Sequence, residues 1–173
     1  MKLAYLAVVI GLLAHAAHGQ SPATTPDLTG TWEYVTASSP FKDRVLTITQ
    51  TADELNLVES YTFENIEYTH RSTLYTDGRG EVNRKQFPDG EPPSEVTSKT
   101  VWKKGTLFVT LRYASMMQGR GMRFKVTVDE EQTWSLSKDG ETLTVNIKSV
   151  RDAPAIAPIA IPTTGKSSYR RKH

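Results

Sequence analysis

Apolar and polar residues alternate with a period of two along most of the chain. Between Arg44 and Gln50, Leu46 and Ile48 fall on one side of an extended strand and Thr47 and Thr49 on the other. A period of two is typical of a strand with one buried and one solvated face. After residue 20, no stretch keeps a period of 3.6 residues over three helical turns. The pattern therefore predicts an all-β protein with an antiparallel sheet.

Turn residues separate the alternating runs. The clearest turn is Lys138-Asp139-Gly140-Glu141, which lies between the run 132–137 and the run 142–147. Asp-Gly between two alternating runs favours a hairpin, because the tight turn needs positive φ at its central positions. Asp77-Gly78 marks a second turn of the same kind.

The sequence predicts roughly ten short strands. They fall near residues 30–36, 43–50, 54–60, 65–76, 80–86, 95–103, 106–114, 121–128, 131–137 and 142–151. Short strands joined by hairpin-length turns predict an up-and-down antiparallel barrel of about 8–10 strands, with a β-sandwich as the alternative. The proline-rich segment 87–93 is predicted to be a loop.

The N-terminus has the pattern of a secretory signal peptide. Lys2 precedes an apolar run of about a dozen residues, and the small residues that follow fit two cleavage sites, Ala14-x-Ala16 and Ala17-x-Gly19. We favour cleavage after Gly19. A membrane-spanning helix needs about 20 apolar residues, and His15 and His18 interrupt this run. We therefore predict that residues 1–19 are removed and that the mature protein is secreted or periplasmic, with no transmembrane segment.

Charge is distributed unevenly along the mature chain. Residues 152–173 carry a net charge of +3, whereas residues 20–151 carry −2. A nucleic-acid-binding face would need clustered basic residues, so the sequence argues against that function. We predict a short linker at 20–26, a barrel domain at 27–151, and a disordered basic tail rich in proline and alanine at 152–173.

The first predicted strand resembles the opening of a known superfamily. Asp27-Leu28-Thr29-Gly30-Thr31-Trp32 contains the G-x-W pattern of lipocalins and fatty-acid-binding proteins. The segments 46–50 and 134–144 are similar to exported bacterial lipocalin-like (calycin-type) proteins of unassigned function, so the resemblance spans 27–151. It implies that Gly30 and Trp32 close the base of the barrel under a basic residue of the final strand. Arg151 is the residue that we match to this role, with Lys148 as the fallback.

The sequence contains no recognisable catalytic motif or metal site. The chain has no cysteine, and His70 is the single histidine of the predicted domain, so a zinc site of the usual ligands is not expected. The carboxylates of Asp53-Glu54 and of 129–131 are predicted to lie at solvated turns. We expect no cofactor and no enzymatic activity; the remaining catalytic candidate is His70 with Glu64 or Glu67.

Two segments carry the residue types that line binding cavities. An aromatic stretch with one arginine spans 61–75, and a loop with methionines and arginine joins two strands near 116–122. The candidate ligand-binding residues are Tyr61, Phe63, Tyr68, Arg71, Tyr75, Met116, Met117, Arg120 and Met122. We expect an apolar or amphipathic small molecule in the barrel interior. The alternative is a packed barrel that acts as an envelope protein-interaction module or inhibitor through the loops 87–93 and 115–123.

The signal-peptide prediction can be tested by mass. When the full chain is expressed in a bacterial host with an export pathway, we expect the purified protein to begin at Gln20 because Gly19 is the last residue removed. Intact mass spectrometry and N-terminal sequencing measure this directly. Retention of Met1 in the exported fraction would contradict the prediction.

Overall fold

The computed structural model describes residues 25–35, 41–86, 93–119, 122–152 and 161–173. These residues form ten strands and no helix, and thus no helix long and apolar enough to cross a membrane. The strands are β1 (Gly30–Tyr34), β2 (Lys42–Gln50), β3 (Glu54–Phe63), β4 (Ile66–Tyr75), β5 (Glu81–Lys85), β6 (Ser94–Lys103), β7 (Thr106–Gly119), β8 (Met122–Leu136), β9 (Thr142–Asp152) and β10 (Ile161–Lys172).

The strands form one antiparallel sheet that curls into a nearly closed up-and-down barrel. Their order is β4-β3-β2-β1-β10-β9-β8-β7-β6-β5, so each strand pairs with its neighbour in the chain except at β4 and β5, and β10 returns to pair with β1. The predicted fold class is confirmed. This architecture is compatible with a lipocalin-like fold.

Side chains of β5 complete the wall between β4 and β5, where the sheet order ends. The amide of Asn83 accepts a hydrogen bond from the Thr73 backbone N–H (2.9 Å) and donates one to the Thr73 carbonyl (2.8 Å). Glu81 accepts a hydrogen bond from the Tyr75 backbone N–H at 3.0 Å. These hydrogen bonds satisfy backbone groups at the edge of β4 that would otherwise pair with a neighbouring strand.

The prediction of a disordered C-terminal tail is wrong for residues 161–172. This segment is β10, which pairs with β9 from Ile161 to Arg170 and with β1 from Tyr169 to Lys172. Its proline and its charges indicated disorder, but without it β1 and β9 would each have an unpaired edge. The barrel domain therefore extends past residue 151; residues 153–160 lie outside the described residues.

The predicted turn at residues 129–131 is also wrong. One continuous strand, β8, replaces the two predicted strands 121–128 and 131–137. Asp129 and Glu131 are exposed, whereas Glu130 is half-buried and faces the barrel interior. An acidic run can continue a strand when alternate carboxylates remain in water and the intervening one finds polar partners inside.

Trp32 closes one end of the barrel, which we call the closed end. The ring is fully buried in the core with Leu28, Leu55, Leu107 and Leu143. Its indole N–H donates a hydrogen bond to the Leu28 carbonyl at 3.0 Å, so the buried polar atom is satisfied.

The basic residue over Trp32 is Arg171, so the match to Arg151 is wrong. The guanidinium carbon of Arg171 lies 4.2 Å from the Trp32 ring centroid, and its N–H groups donate to the carbonyls of Gly140 (3.0 Å) and Thr29 (2.5 Å). The final strand is β10 and not the strand that ends near 151. Gly30 has φ +143°, and a Cβ there would lie 2.6 Å from Arg171 Nη1. A side chain at this position would displace the guanidinium.

Arg171→Ala should destabilise the barrel by roughly 2 kcal/mol, because it removes a cation–π contact and two charge-assisted hydrogen bonds. Urea unfolding measures the difference. Arg170→Ala is the matched control, because Arg170 is the exposed neighbour on the same strand. Equal losses in the two variants would show that the contact with Trp32 does not stabilise the closed end.

Candidate functional site

The barrel encloses a cavity of about 580 Å³. Ligand cavities in proteins usually measure about 300–1,000 Å³. The walls are mainly apolar, with side chains such as Leu46, Val109, Trp134, Val145 and Ile147. The described barrel is therefore not packed solid, and its interior has the size and lining of a small-molecule site.

The cavity lies beyond the closed end, toward the opposite end of the barrel. We call that opposite end the open end: it carries the 64–65 turn and the C-terminal strand ends at Tyr34, Lys85, Gly119 and Asp152. Residues 36–40, 87–92, 120–121 and 153–160 lie outside the described residues. Trp32 and Arg171 fill the closed end, so within the described residues the cavity has no approach from that side.

An ion-pair cluster on β2, β3 and β5 forms one wall of the cavity. Arg44 contacts Glu59 Oε1 through Nε (2.7 Å) and Nη2 (2.6 Å), and Lys85 Nζ lies 3.5 Å from Glu59 Oε2. The guanidinium of Arg44 also lies over the rings of Tyr34 (5.1 Å) and Tyr169 (5.6 Å). The cluster holds Arg44 in place and links β5 to β3 across the β4–β5 wall.

Glu59 is ionised at any ordinary pH. Burial by itself would raise its pKa, but the charges of Lys85 and Arg44 and the hydrogen bond from Arg44 outweigh burial and lower the pKa to about 2. The positive charges of Arg44 and Lys85 are thus compensated inside the barrel by the Glu59 carboxylate, which stays ionised.

His70 faces the cavity from β4, opposite Glu59. Its Nε2 lies 3.0 Å from the Tyr61 hydroxyl, and burial followed by the charge of Lys85 lowers its pKa, so the ring is neutral at neutral pH. The predicted carboxylate partners are wrong: Glu64 lies in the β3–β4 turn, and Glu67 is exposed. The carboxylate beside His70 is Glu59.

A second set of polar groups lines the wall formed by β7 and β8. Glu130 accepts hydrogen bonds from the Tyr113 hydroxyl (3.1 Å) and the Gln132 amide (2.5 Å), and Trp134 donates to Gln132 at 2.7 Å. Burial, and then the charge of Glu130, raises the pKa of Tyr113, so its hydroxyl stays protonated as a donor. These contacts explain how Glu130 is held inside the barrel.

Three of the four predicted aromatic binding residues lie together. Tyr61, Phe63 and Tyr68 form a cluster with Phe41. The distance between ring centroids is 4.9 Å for Phe41 and Tyr61 and 5.4 Å for Tyr61 and Tyr68. This cluster lies beside the cavity, joined to it through Phe41 and the Tyr61–His70 contact.

Of the other predicted binding residues that the structure describes, one lines the cavity and two lie on the outer face of the barrel. Arg71 is exposed, and Tyr75 lies under Arg79, whose guanidinium carbon is 4.4 Å from the ring centroid. Both lie on the outer face of β4, so their assignment to a cavity is wrong. Met116 lines the cavity. The side chains of Met117, Arg120 and Met122 lie outside the described residues.

Sequence reasoning missed Arg44, Glu59 and Lys85. The alternation contained a signal for two of them, because Arg44 has the same parity as the buried Leu46, and Glu59 the same parity as the buried Leu55. A charged residue at an inward position is a candidate for an interior polar site.

Within the described ranges, no group of three or more histidine or acidic side chains is placed to hold a metal ion. No protein-family model and no curated protein matches the chain. The site must therefore be interpreted from its own geometry.

Replacement of Glu59 should change how stability depends on pH. Its pKa falls from an ordinary 4.5 to about 2 in the folded protein, so the ionised carboxylate stabilises the fold fully above about pH 4.5. This stabilisation, roughly 3 kcal/mol, is lost as the pH falls through 2. Glu59→Gln should remove most of this acid dependence, measured by urea unfolding between pH 6 and 2.

Glu67→Gln is the control, because Glu67 is an exposed carboxylate on the adjacent strand. It should retain the wild-type acid dependence. If Glu59→Gln shows the same loss of stability between pH 4.5 and 2 as the wild type, Glu59 is not the group that responds.

Proposed function

We propose that this protein binds an amphipathic small molecule inside its barrel. The observation that carries the proposal is the cavity of about 580 Å³, with mainly apolar walls and a small number of fixed polar groups. Apolar walls supply most of the affinity for such a ligand, and a few placed polar groups fix its orientation.

The electrostatics of the cavity favour binding over catalysis. A general base works best when its pKa is near the working pH. Glu59, with a pKa of about 2, is too weak a base for this role. The His70 ring is neutral, but its Nε2 is already engaged by Tyr61.

The interior is also favoured over the outer surface. A depression of about 660 Å³ crosses the outer face of β6 to β10, and exposed side chains such as Lys99, Arg112 and Lys148 form its rims. The depression is more open to water than the interior cavity, so it would bury a smaller part of a ligand. This comparison supports a ligand-binding barrel over a packed interaction module.

Membership of a lipocalin-like class and export form part of the same proposal. The ten-stranded barrel and the Trp32–Arg171 contact at its closed end support the class. The pattern of residues 1–19 supports export to the periplasm or the medium. A carrier or scavenger of amphipathic molecules suits such a compartment.

The binding proposal can be tested with N-phenyl-1-naphthylamine, a neutral apolar dye that fluoresces when it leaves water. We expect saturable binding by the wild type. Ile147→Trp adds bulk on the cavity wall and should weaken binding at least about tenfold, because the larger ring fills space that the dye needs.

Asn146→Trp is the matched control, because Asn146 is the adjacent, exposed residue of β9. It should bind the dye like the wild type, and both variants should show cooperative thermal unfolding. Absence of dye binding by the folded wild type, or equal binding by the two tryptophan variants, would refute an interior site.

A further inference from the structure

We infer that Arg151 recognises an anionic group, a carboxylate or a phosphate, on the ligand of the cavity. This inference rests on the proposed function and names the chemical class of the ligand's polar end. The sequence had assigned Arg151 to the closed end, but the structure places it on β9 as a half-buried lining residue of the cavity.

The charged residues of the cavity wall carry the argument. Among the described residues, five charged side chains line the cavity: Arg44, Glu59, Lys85, Glu130 and Arg151. Arg44 and Lys85 both contact Glu59, and Glu130 is held by hydrogen bonds from two neutral groups. Arg151 has no carboxylate within salt-bridge distance in the described part of the chain. Among the described lining residues, three cations thus face two carboxylates.

A ligand with one negative charge would balance the charges of these described lining residues. A charge that is partly removed from water is costly unless it finds a counter-charge. The guanidinium of arginine offers a planar pair of N–H donors that matches a carboxylate or a phosphate. An anionic ligand therefore gains a charge-assisted contact at Arg151 that a neutral ligand of the same shape lacks.

The position of Arg151 also sets the orientation of the ligand. Arg151 is paired with Val128 near the open-end terminus of β9, and the inward side of that strand continues through Ile147 to Val145. Six residues of a strand span about 20 Å. An anionic head at Arg151 would thus leave an apolar tail directed along these residues toward Trp134 and the closed end.

The test compares two fluorescent probes with the same chain and a different head group, a carboxylate or its neutral methyl ester: 11-(dansylamino)undecanoic acid and its methyl ester. Titrations of the full mature chain at pH 7.4 give a Kd for each. We expect the wild type to bind the acid at least about tenfold more tightly than the ester. Equal affinities would overturn the assignment of an anionic ligand while leaving the proposed cavity site intact. Binding of neither probe would overturn both proposals.

Variants assign the preference to a residue. Arg151→Gln should weaken binding of the acid about tenfold and leave the ester unchanged, whereas Arg151→Lys should keep most of the preference. Arg112→Gln is the matched control, because it removes an equal charge from an exposed side chain on the outer face. If folded Arg151→Gln retains the preference for the acid, the inference is wrong.

Competition separates the two anionic chemistries. Dodecanoate, dodecyl phosphate, dodecanol and dodecylammonium share one chain length and differ in the head group. Displacement of the acid probe by dodecanoate identifies a carboxylate site, and stronger displacement by dodecyl phosphate identifies a phosphate site. Stronger displacement by dodecanol or dodecylammonium than by either anion would overturn the inference. Because the wild-type results decide between these outcomes, the inference can fail even if Arg151→Gln does not fold.

Discussion

The guanidinium of Arg171 lies 4.2 Å from the centroid of the Trp32 ring and donates to two carbonyls at the same end of the barrel. Trp32 belongs to the first strand and Arg171 to the last, so this contact joins the two terminal strands of the barrel. It covers a buried indole and satisfies one carbonyl of the segment before β1 and one of the β8–β9 turn. Because β10 then fills the space between β9 and β1, the sheet closes and an interior exists at all. The cavity, and with it the proposed function, depends on that closure.

A closed barrel with a cavity must still accommodate the charges that face inward. The Arg44–Glu59–Lys85 cluster does so by mutual compensation, and its cost in desolvation is offset by short contacts and by the aromatic rings around Arg44. Glu130 is held instead by neutral donors. The two arrangements place polar groups on opposite walls with apolar surface between them. That distribution suits a ligand with both polar and apolar parts. It also leaves Arg151 as the cation of the cavity wall with no carboxylate partner among the described residues.

The wall between β4 and β5 shows how a barrel of this kind can be nearly closed without a full backbone ladder. Asn83 and Glu81 hydrogen-bond to the backbone of β4, and Lys85 reaches Glu59 beyond it. Three alternate residues of β5 thus connect this edge of the sheet to β4 and to the Arg44–Glu59–Lys85 cluster: Glu81, Asn83 and Lys85. Structure and site share the same side chains there, so a change at Lys85 affects both.

The sequence alone determined the all-β class and most strand positions, because these follow from local alternation and turn residues that act over a few positions. The burial of Trp32 was implied by the resemblance of its G-x-W segment to lipocalins. The sequence did not reveal β10, since a segment with proline and several charges becomes a strand only when two edges need a partner. It placed Glu130 in a turn, and it placed Arg151 instead of Arg171 over the Trp32 ring, for a related reason. Which inward position meets which other one depends on register and closure, and only the tertiary structure decided that Glu59 meets Arg44 and Lys85.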